Sequence, residues 1–206
     1  MSEDKPIFKQ SDVQVTHRET CFESFLQIDK LRLQHSLFEG GQSEVMDREL
    51  LVKLPAVGVL LYDPAREELV MVRQFRVGML DAEDSPWPLE LVAGLIDKEE
   101  SLEEVAVREI QEETGLQAGE LIRICEYYNS PGASTEKVHL FCARVDASAA
   151  GGVHGLDHEH EDIRVEVLSV DEALLAAESG MINNAMSLIA LQWLQINKPA
   201  LLNRWS

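Results

Sequence analysis

Basic residues are scarce in this chain. Among its 206 residues, 18 are Lys or Arg and 37 are Asp or Glu, a formal net charge of −19 at pH 7. A surplus of that size repels a nucleic-acid duplex or an anionic membrane at long range, so neither is expected as a partner. It leaves room for an anionic small molecule if local cations or metal ions receive it. Cysteine is also scarce. Cys21, Cys125 and Cys142 form an odd set with no CxxC spacing. That argues against a disulfide framework and fits a reducing cytoplasm. Long apolar runs are missing as well. Residues 57–62 form one of the longest, far short of the roughly 20 needed to cross a bilayer. The opening MSEDKPIFKQ lacks the basic-then-apolar order of a secretory signal. No internal repeat or low-complexity segment is visible. The expectation is a soluble, cytoplasmic protein.

What remains is ordinary globular material. The chain is 45% hydrophobic and 27% charged, with 12 Gly and 7 Pro, which is enough apolar matter for a core. Its length suits one domain, or one domain with an appendage. Residues 12–38 alternate apolar and polar and read as strands, and residues 38–43 as a turn. This predicts an N-terminal β subdomain over residues 1–50 and a main domain over 51–206. In the main domain, residues 55–62 and 68–75 read as a hairpin closed by Asp63-Pro64. Residues 81–88 read as a loop and 89–96 as a short apolar stretch. A helix is predicted over 101–114, with Ser101 as its N-cap, Glu104 completing a capping box and Gly115 as a left-handed cap. Strands follow near 119–128, 137–146 and 163–168, and helices over 170–178 and 184–196. The loop 151–162 is rich in glycine, histidine and acid. Mixed strands with few helices predict an α/β or α+β sandwich and exclude a regular βαβ array.

Glu109, Glu112 and Glu113 fall at i, i+3 and i+4 on the predicted helix, so they share one face. Like charges at this spacing cost a few tenths of a kcal/mol per pair. Spacing alone leaves two readings open: a solvated acidic face, or a site for a hard cation such as Mg²⁺ or Mn²⁺. The wider segment is more specific. Gly94 is followed after five residues by Glu100, and after seven more by Arg108-Glu109-Ile110. One further residue leads to Glu112-Glu113, and another to Gly115-Leu116. A chance match to this whole pattern is on the order of one in ten million at average residue frequencies. The segment resembles the box of the Nudix hydrolases.

That resemblance implies an α/β/α sandwich with a mixed sheet, and hydrolysis of a nucleoside diphosphate linked to another group, with divalent metal. It implies Glu109 and Glu113 as principal ligands of Mg²⁺ (with Mn²⁺ as substitute), the carbonyl of Ala93 as a further ligand, and Glu112 binding directly or through water. Arg108 is expected to orient the carboxylates together with Glu100.

Outside the box, Ser130-Pro131-Gly132 leads on to Glu136. This run resembles the ADP-ribose pyrophosphatase branch, although a Pro-Gly turn alone would explain its first half. Arg73-Gln74-Phe75-Arg76, Trp87-Pro88-Leu89-Glu90 and residues 184–195 look like the same branch. The branch implies that Arg76 pairs with a substrate phosphate, as a guanidinium does well. It implies that Ser130, Pro131, Gly132, Glu136 and Leu95 meet the terminal ribose. Phe25, Leu26, Arg48 and Glu49 fall where the branch holds the adenosine end, partly across a homodimer. Phe25 would stack on adenine, or else lie in a strand core. His158 and His160, two apart among acids in loop 151–162, could suggest zinc, but no further ligand motif completes such a site. The branch instead implies Glu159 as general base and Glu161 as a metal ligand, with Asp157 and Asp162 as substitutes. The expected reaction turns ADP-ribose into AMP and ribose 5-phosphate. Three rivals are a hydrolase of another nucleotide sugar such as GDP-mannose, a non-catalytic sensor, and an interaction module that uses the acidic surface. Intact Glu109, Glu112 and Glu113 argue against the sensor.

Overall fold

A computed structural model describes residues 8–205. The chain forms two compact units. One takes in the chain through Leu54 together with Ser130–Glu136, and the other takes in Pro55–Asn129 and the chain from Lys137 onward.

In the first unit, β1 (Val13–Glu23), β2 (Gln27–His35) and β3 (Met46–Val52) form an antiparallel sheet in chain order. The β1–β2 register shifts twice, between Val15 and His17 and between Thr20 and Phe22. Such irregularities bend and twist a strand. Every residue of β1 is exposed. Among the described residues of this unit only Asp29 and Ser134 are buried. Asp29 accepts hydrogen bonds from Arg18 Nε at 2.6 Å, Gln27 Nε2 at 2.8 Å and Thr20 Oγ1 at 2.9 Å. Ser130–Glu136 joins through backbone pairing: Leu51 N donates to Ala133 O at 2.8 Å, and Thr135 N donates to Leu51 O at 3.0 Å. The sequence placed this segment with the main domain and ended the first at residue 50. β3 instead runs to Val52, and a pairing between distant segments carries residues 130–136 with it.

The second unit centres on β4 (Ala56–Asp63), buried at every position. With it run β5 (Glu68–Arg73), β6 (Leu89–Glu90), β7 (Val92–Leu95), β8 (Leu121–Tyr128), β9 (Lys137–Arg144), β10 (Val153–His154) and β11 (Ile163–Ser169). The main path is β10-β11-β5-β4-β9-β8, with β6 beside β5 and β7 beside β4. β4 and β9 run parallel and the other pairs are antiparallel, so the sheet is mixed. Alternate residues go to opposite faces. Val57, Val59, Leu61, Val70 and Val72 meet Val105, Ala106 and Ile110 of α1 (Leu102–Thr114). Leu60, Tyr62, Leu69 and Met71 meet α2 (Val170–Glu178) and α3 (Ala185–Trp205) on the other side. This is the α/β/α sandwich expected, and its continuous apolar central strand follows from cover on both faces.

Helix α1 starts as predicted. Ser101 Oγ accepts from Glu104 N at 3.2 Å, and Glu104 Oε2 accepts from Ser101 N at 2.7 Å. Gly115 ends it with φ of 70°. Ser101→Ala removes the cap and is expected to cost about 1 kcal/mol, read as a lower urea midpoint with an unchanged slope.

The last helix overruns its predicted end at residue 196 and passes through Pro199 to Trp205. An interior proline costs about 3 kcal/mol, so contacts beyond it must offset that. Leu201 and Trp205 are buried against Tyr62's cluster, and Trp205 Nε1 donates to Glu120 Oε2 at 2.8 Å. Among the described residues, no helix is long and apolar enough to cross a membrane.

Candidate active site

Strand β7 pairs with β4, setting Ala93 opposite Gly58 and Gly94 opposite Val57. That register lays Ala93 and Gly94 against α1. A side chain on Gly94 would have no room, because a Cβ there would lie 1.8 Å from Glu109 Oε1. The hydrogen of glycine is what admits the Glu109 carboxylate.

The inward stripe of α1 is apolar at Val105, Ala106 and Ile110, yet Glu109 and Glu113 are buried beside them at 9% and 3% exposure. Burial disfavours a carboxylate charge. Glu109 is therefore shifted upward, chiefly by burial and in spite of Arg108. Glu113 is pushed up to about 9 by burial, then by the charges of Glu109 and Glu161. Its hydrogen bond from Ala93 N, at 3.4 Å to Oε2, is weak.

Arg108 supplies counter-charge to the rest of the group. Its Nη1 donates to Glu109 Oε1 at 2.7 Å and Glu112 Oε2 at 3.0 Å, and its Nε to Glu100 Oε2 at 3.2 Å. One guanidinium thus holds three carboxylates. Among the described residues, no three His, Cys, Asp or Glu side chains converge as a ready metal cage. The donor chemistry still fits a hard divalent cation. Two buried acids and Glu161 repel one another, and Arg108 alone cannot neutralise them.

Glu161 arrives from loop 151–162. Its Oε2 accepts from Leu156 N at 3.3 Å, while Gln74 Nε2 stands 3.5 Å from Oε1. Gly155 N donates to Glu112 O at 3.3 Å and ties the loop to α1. Glu159 ends the short 3-10 turn Asp157–Glu159 and is exposed, with His158 Nε2 at 3.6 Å as its neighbour. Arg76 donates Nε to Glu90 Oε2 at 2.7 Å, and its charge pulls the Glu113 pKa down against the larger upward effects. Leu95 ends β7, partly exposed.

The other residues singled out from the sequence lie in the first unit. Phe25 and Leu26 sit between β1 and β2. Phe25 is 92% exposed, so it is no core residue of this chain. Arg48 and Glu49 face Leu31 and Lys30 across the β2–β3 pair. Ser130, Pro131 and Gly132 form an exposed turn in which Ser130 O accepts from Ala133 N and Ser134 N. Glu136 makes an ion pair with Lys53. Sequence reasoning gave no role to Lys53, Gln74 or Glu90. Gln74 and Glu90 stand inside runs that carried the family resemblance, whereas Lys53 had no local signal.

A family model described as the NUDIX domain matches residues 52–186. The chain belongs to the Nudix family. This Nudix chain is 42% identical over 199 residues to the ADP-ribose pyrophosphatase of Escherichia coli, covering 97% of this chain and 95% of the relative. It is 40% identical over 201 residues to the ADP-ribose pyrophosphatase of Haemophilus influenzae, covering 96% and 93%. A GDP-mannose pyrophosphatase of Shigella flexneri is 36% identical over 156 residues, covering 73% and 78%. Among solved structures, an ADP compounds hydrolase matches with a TM-score of 0.71 at 22% identity, covering 92% of this chain and 96% of the other. That likeness is one of fold.

Proposed function

We propose that this Nudix hydrolase splits the pyrophosphate of ADP-ribose, with Mg²⁺, into AMP and ribose 5-phosphate. The observation that carries the chemistry is the pair of buried carboxylates on α1: Glu109, which burial shifts upward in spite of its ion pair with Arg108, and Glu113, which burial and the charges of Glu109 and Glu161 push up further. The substrate rests on 40% and 42% identity, over nearly the whole chain, to two ADP-ribose pyrophosphatases. Glu109, Glu113, Glu161, the Ala93 carbonyl and, directly or through water, Glu112 would hold Mg²⁺, with Mn²⁺ as substitute. The cation supplies positive charge to a pyrophosphate that this acidic chain would otherwise repel, and it eases deprotonation of water.

The chain's own residues do the remaining work. Arg76 receives a phosphate oxygen. Ser130, Pro131, Gly132, Glu136 and Leu95 hold the terminal ribose, and Phe25, Leu26, Arg48 and Glu49 the adenosine. Glu159 takes a proton from the attacking water as its oxygen bonds to phosphorus, and the bridging P–O bond breaks. Attack at either phosphorus yields the same two products. Arg108 keeps Glu109 and Glu112 in one orientation throughout.

The enzyme acts as a homodimer, with the N-terminal strands completed by the second copy. No apolar residue of the first unit is buried among those described, while Val13, Val15, Phe22 and Phe25 are exposed. A sheet in that state needs a partner surface. The free thiols Cys21, Cys125 and Cys142 agree with a cytoplasmic setting.

The test is product chromatography after incubating the pure protein with ADP-ribose, with and without Mg²⁺, beside Glu159→Gln. Metal-dependent AMP and ribose 5-phosphate are expected. The variant should be slower by about a hundredfold or more, as loss of a general base usually is. A fully active variant moves the base to Glu161, Asp157 or Asp162. Cleavage of GDP-mannose with ADP-ribose left intact transfers the substrate to the second reading, which the Shigella flexneri relative favours.

A further inference from the structure

We infer that Glu90 is a positioning residue for Arg76, holding its guanidinium ready for a substrate phosphate. The inference rests on Arg76 being the phosphate anchor, as proposed above. Arg76 stands near the carboxylates of α1, close enough to Glu113 to act on its charge. A flexible arginine there would collapse onto the buried carboxylates and present no free donor to a ligand. Glu90 stops this by taking Arg76 at Nε, 2.7 Å from Oε2. The hold is at one nitrogen, and the Arg76 side chain stays 42% exposed while that of Glu90 is 17% exposed. Anchoring a guanidinium at Nε leaves its terminal nitrogens for a second acceptor, and a phosphate matches that fork.

Glu90 is itself held rigidly. It ends β6, pairing with Val72 of β5. The loop before β6 is pinned on both sides: Arg76 N donates to Pro86 O at 2.8 Å, and Arg73 Nη1 donates to Trp87 O at 3.0 Å. Arg73 is fixed in turn by Glu166 of β11, at 2.8 Å. The acceptor therefore rides on the sheet, which is the arrangement that preorganises a ligand-binding side chain.

The experiment is a double-mutant cycle of Glu90→Ala and Arg76→Ala in steady-state hydrolysis, with Glu90→Gln as the conservative variant. Inhibition by inorganic pyrophosphate is measured alongside. Glu90→Ala is expected to raise KM and weaken pyrophosphate inhibition by about tenfold while kcat falls by less than about threefold. Glu90→Gln keeps an acceptor for Nε and should restore KM to within about threefold of wild type. In the Arg76→Ala background, Glu90→Ala should add nothing further. An additive effect there, or an unchanged KM in Glu90→Ala beside a raised KM in Arg76→Ala, overturns the positioning role. An unchanged KM in Arg76→Ala removes the phosphate anchor itself, and the role of Glu90 falls with it.

Discussion

Glu113→Gln should cut turnover sharply and, at the same time, stabilise the metal-free protein at alkaline pH. Loss of an anionic ligand from a divalent site removes several kcal/mol of transition-state stabilisation, so kcat/KM should drop by about a thousandfold. The stability effect has the opposite sign for a physical reason. The carboxyl of Glu113 titrates near 4.5 when unperturbed and is pushed up to about 9 in the folded chain, first by burial and then by Glu109 and Glu161. The folded state then binds a proton that the unfolded state has released. Its contribution to stability is whole below the unfolded value and drains away as pH rises toward the folded one. The slope is at most about 1.4 kcal/mol per pH unit. Metal-free wild type should accordingly melt at lower temperature at pH 8 than at pH 6. Glutamine cannot ionise, so the variant should show a flatter profile. Mg²⁺ added to wild type at pH 8 should raise the melting temperature by mass action. Scanning calorimetry across this range decides it. Equal slopes in wild type and variant would mean that Glu113 does not carry the effect.

Gly94→Ala should lower kcat/KM by about a hundredfold while leaving the sandwich folded. The added methyl occupies the place of the Glu109 carboxylate, whose Oε1 would lie 1.8 Å from it. Glu109 must swing away, and a displacement near 1 Å in such a site costs about a hundredfold. β7 has four residues and its pairing with β4 does not depend on the Gly94 side-chain position, so the far-UV circular dichroism spectrum should match wild type. Near-normal activity would show that Glu109 has room to adapt, against the close approach. Ala93 offers a contrast: its role would be played by a carbonyl, so a change of side chain there speaks to packing alone.

These two residues show how unevenly the site could be read. Glu109, Glu112 and Glu113 were legible as a shared face because a helix repeats every 3.6 residues and the spacing is local. The capping box at Ser101 and Glu104 was legible for the same reason. That Glu113 would be buried, and not merely one acid on a wet face, depends on α1 lying against β7, which no local spacing contains. Gly94 stood in the sequence only as the first position of the box pattern, whereas the packing makes it the gap that Glu109 fills. Arg108 was expected to orient the carboxylates with Glu100, and in the fold it reaches Glu100, Glu109 and Glu112.

The sequence by itself determined the family, the sandwich class, the strand and helix alternation around the box, and the face on which the carboxylates stand. All of these follow from short-range periodicity, turn chemistry and one dense motif. Tertiary structure alone decided where the units divide, since the backbone pairing of Leu51 with Ala133 and Thr135 joins segments far apart in the chain. It also decided that the last helix runs through Pro199, because burial of Leu201 and Trp205 outweighs a local penalty. Partners such as Glu90 for Arg76 and Lys53 for Glu136 are likewise tertiary. Each joins residues that the chain keeps apart, and only folding brings their charges within reach of one another.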